Sequence, residues 1–181
     1  LQLKSPFNYN ENACLYVPMG MPEPNTEMFN LALIKKVSPL ILAAKGRTFI
    51  LSTSIKSMNE ITSFLKDEFE KKNIKFPILT QGAAPKNMLL DQFKLHGNAI
   101  LVGSLSFWEG IDVRGSALSL VIIDKLPFQS PGDPVFESKI NMLKAKGGNP
   151  FMSLQLPQAI ISLKQGAGRL IRDEFDKGVL M

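Results

Sequence analysis

The run RTFILST, Arg47 to Thr53, decides the architecture. It is apolar at successive positions, rich in aromatic and β-branched residues, and closed by hydroxyl side chains. A strand covered on one face alternates apolar with polar residues, whereas a strand covered on both faces does not. Three more runs read the same way: Phe76 to Thr80, Ala99 to Val102 and Leu118 to Asp124. Helical patterns separate them. Ser57 with Glu60 three residues later reads as a capping box that opens a helix carrying Ile61, Phe64, Leu65 and Phe69 on one face. Pro85 suits the first turn of another, with Met88, Leu89 and Phe93 inward and His96 at its solvated end. Upstream, a helix should start after Asn25-Thr26 and run to about Lys45, with Pro39 interrupting or kinking it. Strands alternating with helices predict an α/β fold, a parallel sheet with helices on both faces.

Outside this frame, residues 1–26 are rich in Pro, Asn and Met and read as an extended connector, leaving 27–181 as the domain. Residues 129–150 hold a Pro-Gly loop, a charged helix near Pro134 to Lys146, and Gly147-Gly148. A last helix is expected from about Leu154 to Arg172. The chain starts at Leu1 and stops at Val179-Leu180-Met181, which reads as the start of a strand; both ends read as cuts within a longer chain.

Composition narrows the function classes. The 181 residues are 45% hydrophobic and 20% charged, with 21 Lys and Arg against 16 Asp and Glu, a net charge of +5. That excess permits a polyanionic partner without demanding one. One Cys and one His exclude an internal disulfide and a four-ligand Cys/His zinc site. Cys14 reads as a small buried or half-buried hydrophobe. No apolar run is long enough to span a bilayer.

Ligands of open parallel sheets collect at the carboxyl ends of the strands. Small or polar groups stand at four such ends: Ser52-Thr53-Ser54, Gln81-Gly82, Gly103-Ser104 and Asp124-Lys125. Thr53, Ser54 and Lys56 precede a helix N-terminus and could contact a phosphate, or could be ordinary caps. In the last helix, Gln165, Gly168, Arg169 and Arg172 recur at i, i+3, i+4 and i+7 and should share one face. Leu156, Ala159, Ile160, Leu163, Ala167, Leu170 and Ile171 should form the opposite, buried stripe. Two guanidinium groups one turn apart could stabilise charge in phosphoryl transfer; a solvated basic face is the competing reading. Gly166 and Gly168 each cost about 1 kcal/mol in a helix, which suggests close approach of another group. The loop after Ala99 to Val102 holds Ser104, Ser106, Gly110 and Asp112. Its carboxylate could accept from a ribose hydroxyl or simply close a turn, and Ser104 and Ser106 could donate to backbone phosphates or cap a short helical turn. Trp108 could stack on a base or pack in the core.

In this order the segments resemble the second motor domain of superfamily 2 helicases of the XPD and DinG group. QGAGRLIR (Gln165 to Arg172) resembles helicase motif VI, SFWEGIDVRG (Ser106 to Gly115) motif V, and FILSTS (Phe49 to Ser54) the motif IV strand. DKLPF with PGDP (Asp124 to Pro134), and GGNPF before LPQA (Gly147 to Ala159), resemble bacterial DinG-type proteins more narrowly. SPFNY with LYVPMGMP (Ser5 to Pro22) resembles the crossing from the first motor domain to the second. The likeness covers essentially the whole chain.

The resemblance implies a RecA-like fold, P-loop NTPase-like but without the P-loop. Arg169 and Arg172 would act as arginine fingers on an ATP held mainly by a first motor domain, and Gln165 would place the attacking water or the γ-phosphate. Asp112, Gly110 and Gly168 would lie at the nucleotide. Thr53, Ser54, Lys56, Gln81, Gly82, Ser104 and Ser106 would line a path for single-stranded DNA, travelled 5′→3′, in a cytoplasmic bacterial enzyme. The 181 residues contain no G-x-x-x-x-G-K-[ST] loop and no Asp-Glu-Ala-His-like segment to hold Mg²⁺. An iron–sulfur cluster, where relatives have one, would sit in the first domain. Two alternatives stand beside this reading: a non-motor domain that binds single strands, and an RNA helicase domain.

Overall fold

The computed structural model describes residues 7–24, 26–104, 107, 113, 117–129 and 132–181. Six strands form one sheet: β1 Ala13–Leu15, β2 Thr48–Ser52, β3 Ile78–Thr80, β4 Ile100–Ser104, β5 Leu120–Ile123 and β6 Gly178–Leu180. They lie in the order β1-β6-β5-β2-β4-β3, and every pairing is parallel. β2 is central because both its faces are apolar. Ile50 joins one core with Phe29, Leu33, Ile34 and Ile61, while Phe49 and Leu51 join a second core with Leu89, Phe93 and Leu101 on the other face. All five β2 residues are buried, the burial its non-alternating sequence required.

The first core is covered by α2 (Met28–Ala43) and α3 (Ile55–Lys71), the second by α4 (Lys86–His96) and by Leu170 and Ile171. Pro39 lies inside α2 without ending it, on the exposed side. On that side the missing proline N–H costs the helix one internal hydrogen bond without disturbing the packed core. α4 ends as expected, with Gly97 left-handed after an exposed His96. Two more helices follow, α5 (Pro134–Ala145) and α6 (Leu156–Ala167). A short π-helical stretch, Phe151–Gln155, leads into α6. Pro157 cannot donate into the preceding turn, and the wider turn ahead of it absorbs that loss. Among the described residues no helix is long and apolar enough to cross a membrane.

Four local expectations change. Residues 9–15 are more than a connector: Tyr9–Asn12 form a short helix, α1, and β1 pairs with β6 at the edge of the sheet. Cys14, on that edge strand, is exposed rather than buried. The cap of α3 is Ser54, whose side chain accepts from Ser57 N at 3.1 Å, not Ser57. The last helix stops at Ala167, not Arg172. Arg169 N and Leu170 N bond to the carbonyls of Gly166 and Ala167, a tight turn that drops Leu170 and Ile171 into the second core. Two glycines of low helix propensity release the chain there.

Ser57 is freed for a different task. Its hydroxyl lies 2.7 Å from Asp124 Oδ2 and 3.2 Å from Asn30 Oδ1, and Thr53 N donates to Asp124 Oδ1 at 2.9 Å. Asn30 Nδ2 in turn donates to Glu60 Oε2 at 2.7 Å. The end of β5, the β2–α3 turn and α2 are thus tied through one carboxyl. Asp124 is 6% exposed. Burial pushes its pKa above the ordinary 3.8, against the opposing pull of the bonds from Ser57 and Thr53 and of the Lys125 charge.

Gly46, at φ +80°, ends the α2–β2 turn, and a Cβ there would stand 1.9 Å from the Asn98 carbonyl oxygen. Gly46→Ala should lower stability by about 3 kcal/mol or more, read as a urea midpoint shift. A carboxyl with a raised folded pKa holds its proton more tightly when folded, so its ionisation removes stability as pH climbs from the ordinary value through the raised one. Asp124→Asn keeps an acceptor for Thr53 N and cannot ionise. Its stability relative to the native chain should therefore rise with pH across that window; a difference flat in pH would show that Asp124 does not titrate there.

Candidate functional site

Because every strand runs the same way, all carboxyl ends open on one edge. Along that edge the order of strands places Gln81 (after β3), Ser104 (end of β4), Thr53 and Ser54 (after β2) and Asp124 (after β5) side by side. Neighbouring strands are about 4.8 Å apart, so the row spans roughly 15 Å.

The structure joins several of these residues directly. Gln81 Oε1 accepts from Ser104 N at 2.7 Å and from Ser104 Oγ at 2.9 Å. Ser104 is buried, and its hydroxyl is spent on Gln81. Through these bonds Ser104 holds the Gln81 side chain across the ends of β3 and β4. Ser54 is exposed, but its oxygen is engaged as the α3 cap. Thr53 is half-buried, with its N–H given to Asp124. Gly82, exposed at φ +93° with open space where a Cβ would stand, lets the backbone turn at the surface. Lys56 is 90% exposed along its side chain and only 3.9 Å from Glu60, a weak surface pair. A cleft of about 480 Å³ adjoins this row, with Asn30, Ser54, Lys56, Ser57, Glu60 and Lys125 among its walls.

At the end of α6 the expected single face breaks up. Gln165 is exposed on the helix, Gly168 closes it, Arg169 sits in the turn, and Arg172 lies beyond that turn. Gln165 lines a recess with Pro127, Gln129, Gln158, Ile161 and Ser162, which neither arginine lines. The Nε atoms of both arginines are buried. Sequence reading missed Asp176. Its Oδ2 accepts from the backbone N–H groups of Arg172 and Asp173, each at 2.9 Å, and so fixes the chain that carries Arg172. An Asp four residues after an Arg was the only available signal, and many turns contain one. The opposite stripe is also incomplete: Ala159, Leu170 and Ile171 are buried, whereas Ile160 is 42% exposed.

Ser106, Gly110, Asp112 and Trp108 lie outside the described residues. Among those described, no group of three or more metal-binding side chains exists.

The family described as the helicase C-terminal domain matches residues 37–181. The chain is 47% identical to the ATP-dependent DNA helicase YoaA of Escherichia coli, over all of this chain and 28% of that protein. It is 35% identical to the ATP-dependent helicase DinG of Mycobacterium tuberculosis, over 99% of this chain and 26% of that one. It therefore spans about a quarter of the length of these relatives. Among solved structures, an apo form of XPD superposes on 93% of this chain and 34% of its own, with a TM-score of 0.65 at 21% identity, which shows a shared fold. A six-stranded parallel sheet flanked by helices is the RecA-like arrangement of such second helicase domains. On the match over residues 37–181, this chain belongs to the helicase C-terminal domain family.

Proposed function

We propose that this chain is the second motor domain of an ATP-dependent DNA helicase that moves along single-stranded DNA. The observation that carries the reading is the likeness, over essentially all of this chain, to relatives named ATP-dependent DNA helicases. The row of polar groups on one sheet edge supports it. A motor needs one surface for the strand and another for the nucleotide, and the polar row on the carboxyl edge would serve the strand.

At the strand surface, the Gln81 amino group, Thr53 and the ammonium of Lys56 would contact the sugar–phosphate chain, with Ser104 holding Gln81. Contacts of this kind position a strand without reading its sequence. At the nucleotide surface, Arg169 and Arg172 would face the terminal phosphate of an ATP held mainly by a first motor domain. Guanidinium groups there neutralise charge that grows in the transition state. Arg172 depends on Asp176 for its backbone position, so Asp176 is a positioning residue. Gln165 would orient water or phosphate beside them, with Gly168 allowing close approach, and Gly110 and Asp112 would complete the ribose side. Mg²⁺ would be held with the ATP mainly by that first motor domain, and one cysteine cannot hold an iron–sulfur cluster. Any such groups would belong to other parts of the protein. The expected 5′→3′ direction and cytoplasmic setting are parts of the same proposal.

In the whole protein, Arg172→Ala should lower DNA-stimulated ATP turnover by about a thousandfold while leaving single-strand affinity near its native value. Unchanged turnover would remove Arg172 from the nucleotide site. Lys56→Ala should weaken binding of single strands irrespective of sequence and flatten the plot of log affinity against log salt by about 0.7. An unaltered salt slope would mean that Lys56 faces solvent only.

A further inference from the structure

The hydrogen bonds around Asp124 hold more acceptors than hydrogens. Asn30 Nδ2 donates to Glu60 Oε2 at 2.7 Å, which turns the amide oxygen of Asn30 toward Ser57. Ser57 Oγ then stands between two oxygens, Asn30 Oδ1 at 3.2 Å and Asp124 Oδ2 at 2.7 Å. A serine hydroxyl carries one hydrogen, so it can serve only one of them well. The Thr53 N–H does not relieve the shortage, because it is committed to the other carboxyl oxygen, Asp124 Oδ1, at 2.9 Å. Asn30, Ser57 and Asp124 are all buried, and an acceptor buried without a donor costs about as much as a lost hydrogen bond.

One proton on Asp124 Oδ2 completes the set. The carboxyl O–H then donates to Ser57 Oγ, the Ser57 O–H to Asn30 Oδ1, and Asn30 Nδ2 to Glu60. Every link in this line has one hydrogen and one acceptor, and bonds arranged head to tail strengthen one another. The surrounding charges do not demand an ionised carboxyl. Among the described residues they are Lys125 beside it, Lys56 and Glu60 of α3 and Glu27 at the start of α2 in the adjoining cleft, and Lys164 of α6 across an apolar cavity that Asp124 also lines. None of these lysines forms an ion pair with Asp124. The Lys125 ammonium lies over the Phe29 ring, 5.2 Å from its centre. Burial favours the neutral carboxyl as well.

We propose that Asp124 keeps this proton in the folded chain, and that Asp124, Ser57 and Asn30 form a proton-operated latch between the end of β5 and α2. When the proton leaves, it passes to water through the cleft that Ser57 and Asn30 wall. The Ser57 hydrogen then turns to the carboxylate, and Asn30 Oδ1 loses its donor. β5 keeps its hold on the β2–α3 turn, whereas α2 loses its tie to it. The latch makes the firmness of one cleft wall depend on pH, and it stands whether or not the chain belongs to a motor.

Hydrogen exchange of the whole protein, read by mass spectrometry from about pH 5 to about pH 9, tests the latch. Asp124→Asn imitates its closed form: the amide offers an N–H to Ser57 and an oxygen to Thr53, and it cannot ionise. At the acid end, the peptide over the start of α2 should exchange alike in the native protein and in D124N. At the alkaline end it should exchange about fivefold faster in the native protein, while peptides of α4, on the other face of the sheet, stay matched. Ser57→Ala removes the middle of the line, so adding Asp124→Asn to it should alter α2 exchange equally at both ends of the range. A ratio of native to D124N exchange that does not vary with pH would overturn the latch. So would a ratio that varies equally in α4, or a pH response at Thr53 and Ser54 that leaves α2 unmoved. An infrared difference spectrum, native minus D124N at the acid end, needs no Ser57 variant. It should show the carbonyl stretch of a neutral carboxyl, and a carboxylate band in its place would overturn the proposal.

Discussion

The carboxyl of Asp124 sits almost out of water where β5 ends, and three parts of the chain converge on it. Thr53 N binds one oxygen and Ser57 Oγ the other, while Asn30 links Ser57 to α2 and to Glu60. A parallel sheet holds neighbouring strands together by their ladders, but nothing in a ladder fixes the loops beyond it. Asp124 supplies that link between β2 and β5, the two strands beside which the polar row is built. The cost is visible in its raised pKa: burial works against the charge, and the hydrogen bonds recover only part of it.

Much of the fold could be read from residues because the signals were redundant. β2, β4 and β5 are apolar on both faces, and only a doubly covered sheet satisfies that. Where the signal was a short polar pattern, sequence had two equivalent readings. Ser54 and Ser57 both suit a cap, and only the position of Asp124, some seventy residues away, assigns Ser57 to the interior. β1 escaped notice for another reason. Three residues, none of them buried, carry no period, and their place is set by pairing with β6 at the other end of the chain.

The candidate site was legible in its parts and not in its geometry. Gln81 and Ser104 were chosen independently at two strand ends, and the structure makes them one unit in which the serine serves the glutamine. The end of α6 went the other way. A periodic pattern through Arg172 ignored the pull of Leu170 and Ile171 toward the second core, which a helix continuing past Ala167 would have to oppose. Tertiary burial outweighed helical period, and Asp176 then had to hold what the helix no longer held.

α6 itself is seated lightly. Ala159 and Gly166 are its only buried residues, while Ile160 and Ile161 stand 42% and 57% exposed, and Phe151 and Met152 just ahead of it are exposed as well. Apolar area left in water forfeits about 25 cal/mol per Å², so a helix with this outer face is more stable once something covers it. The second core already binds the chain immediately after α6, through Leu170 and Ile171. One end of the helix is therefore anchored while its face stays open. An element held in this way can respond to what docks on it without disturbing the sheet, because the buried cores belong to α2, α3 and α4.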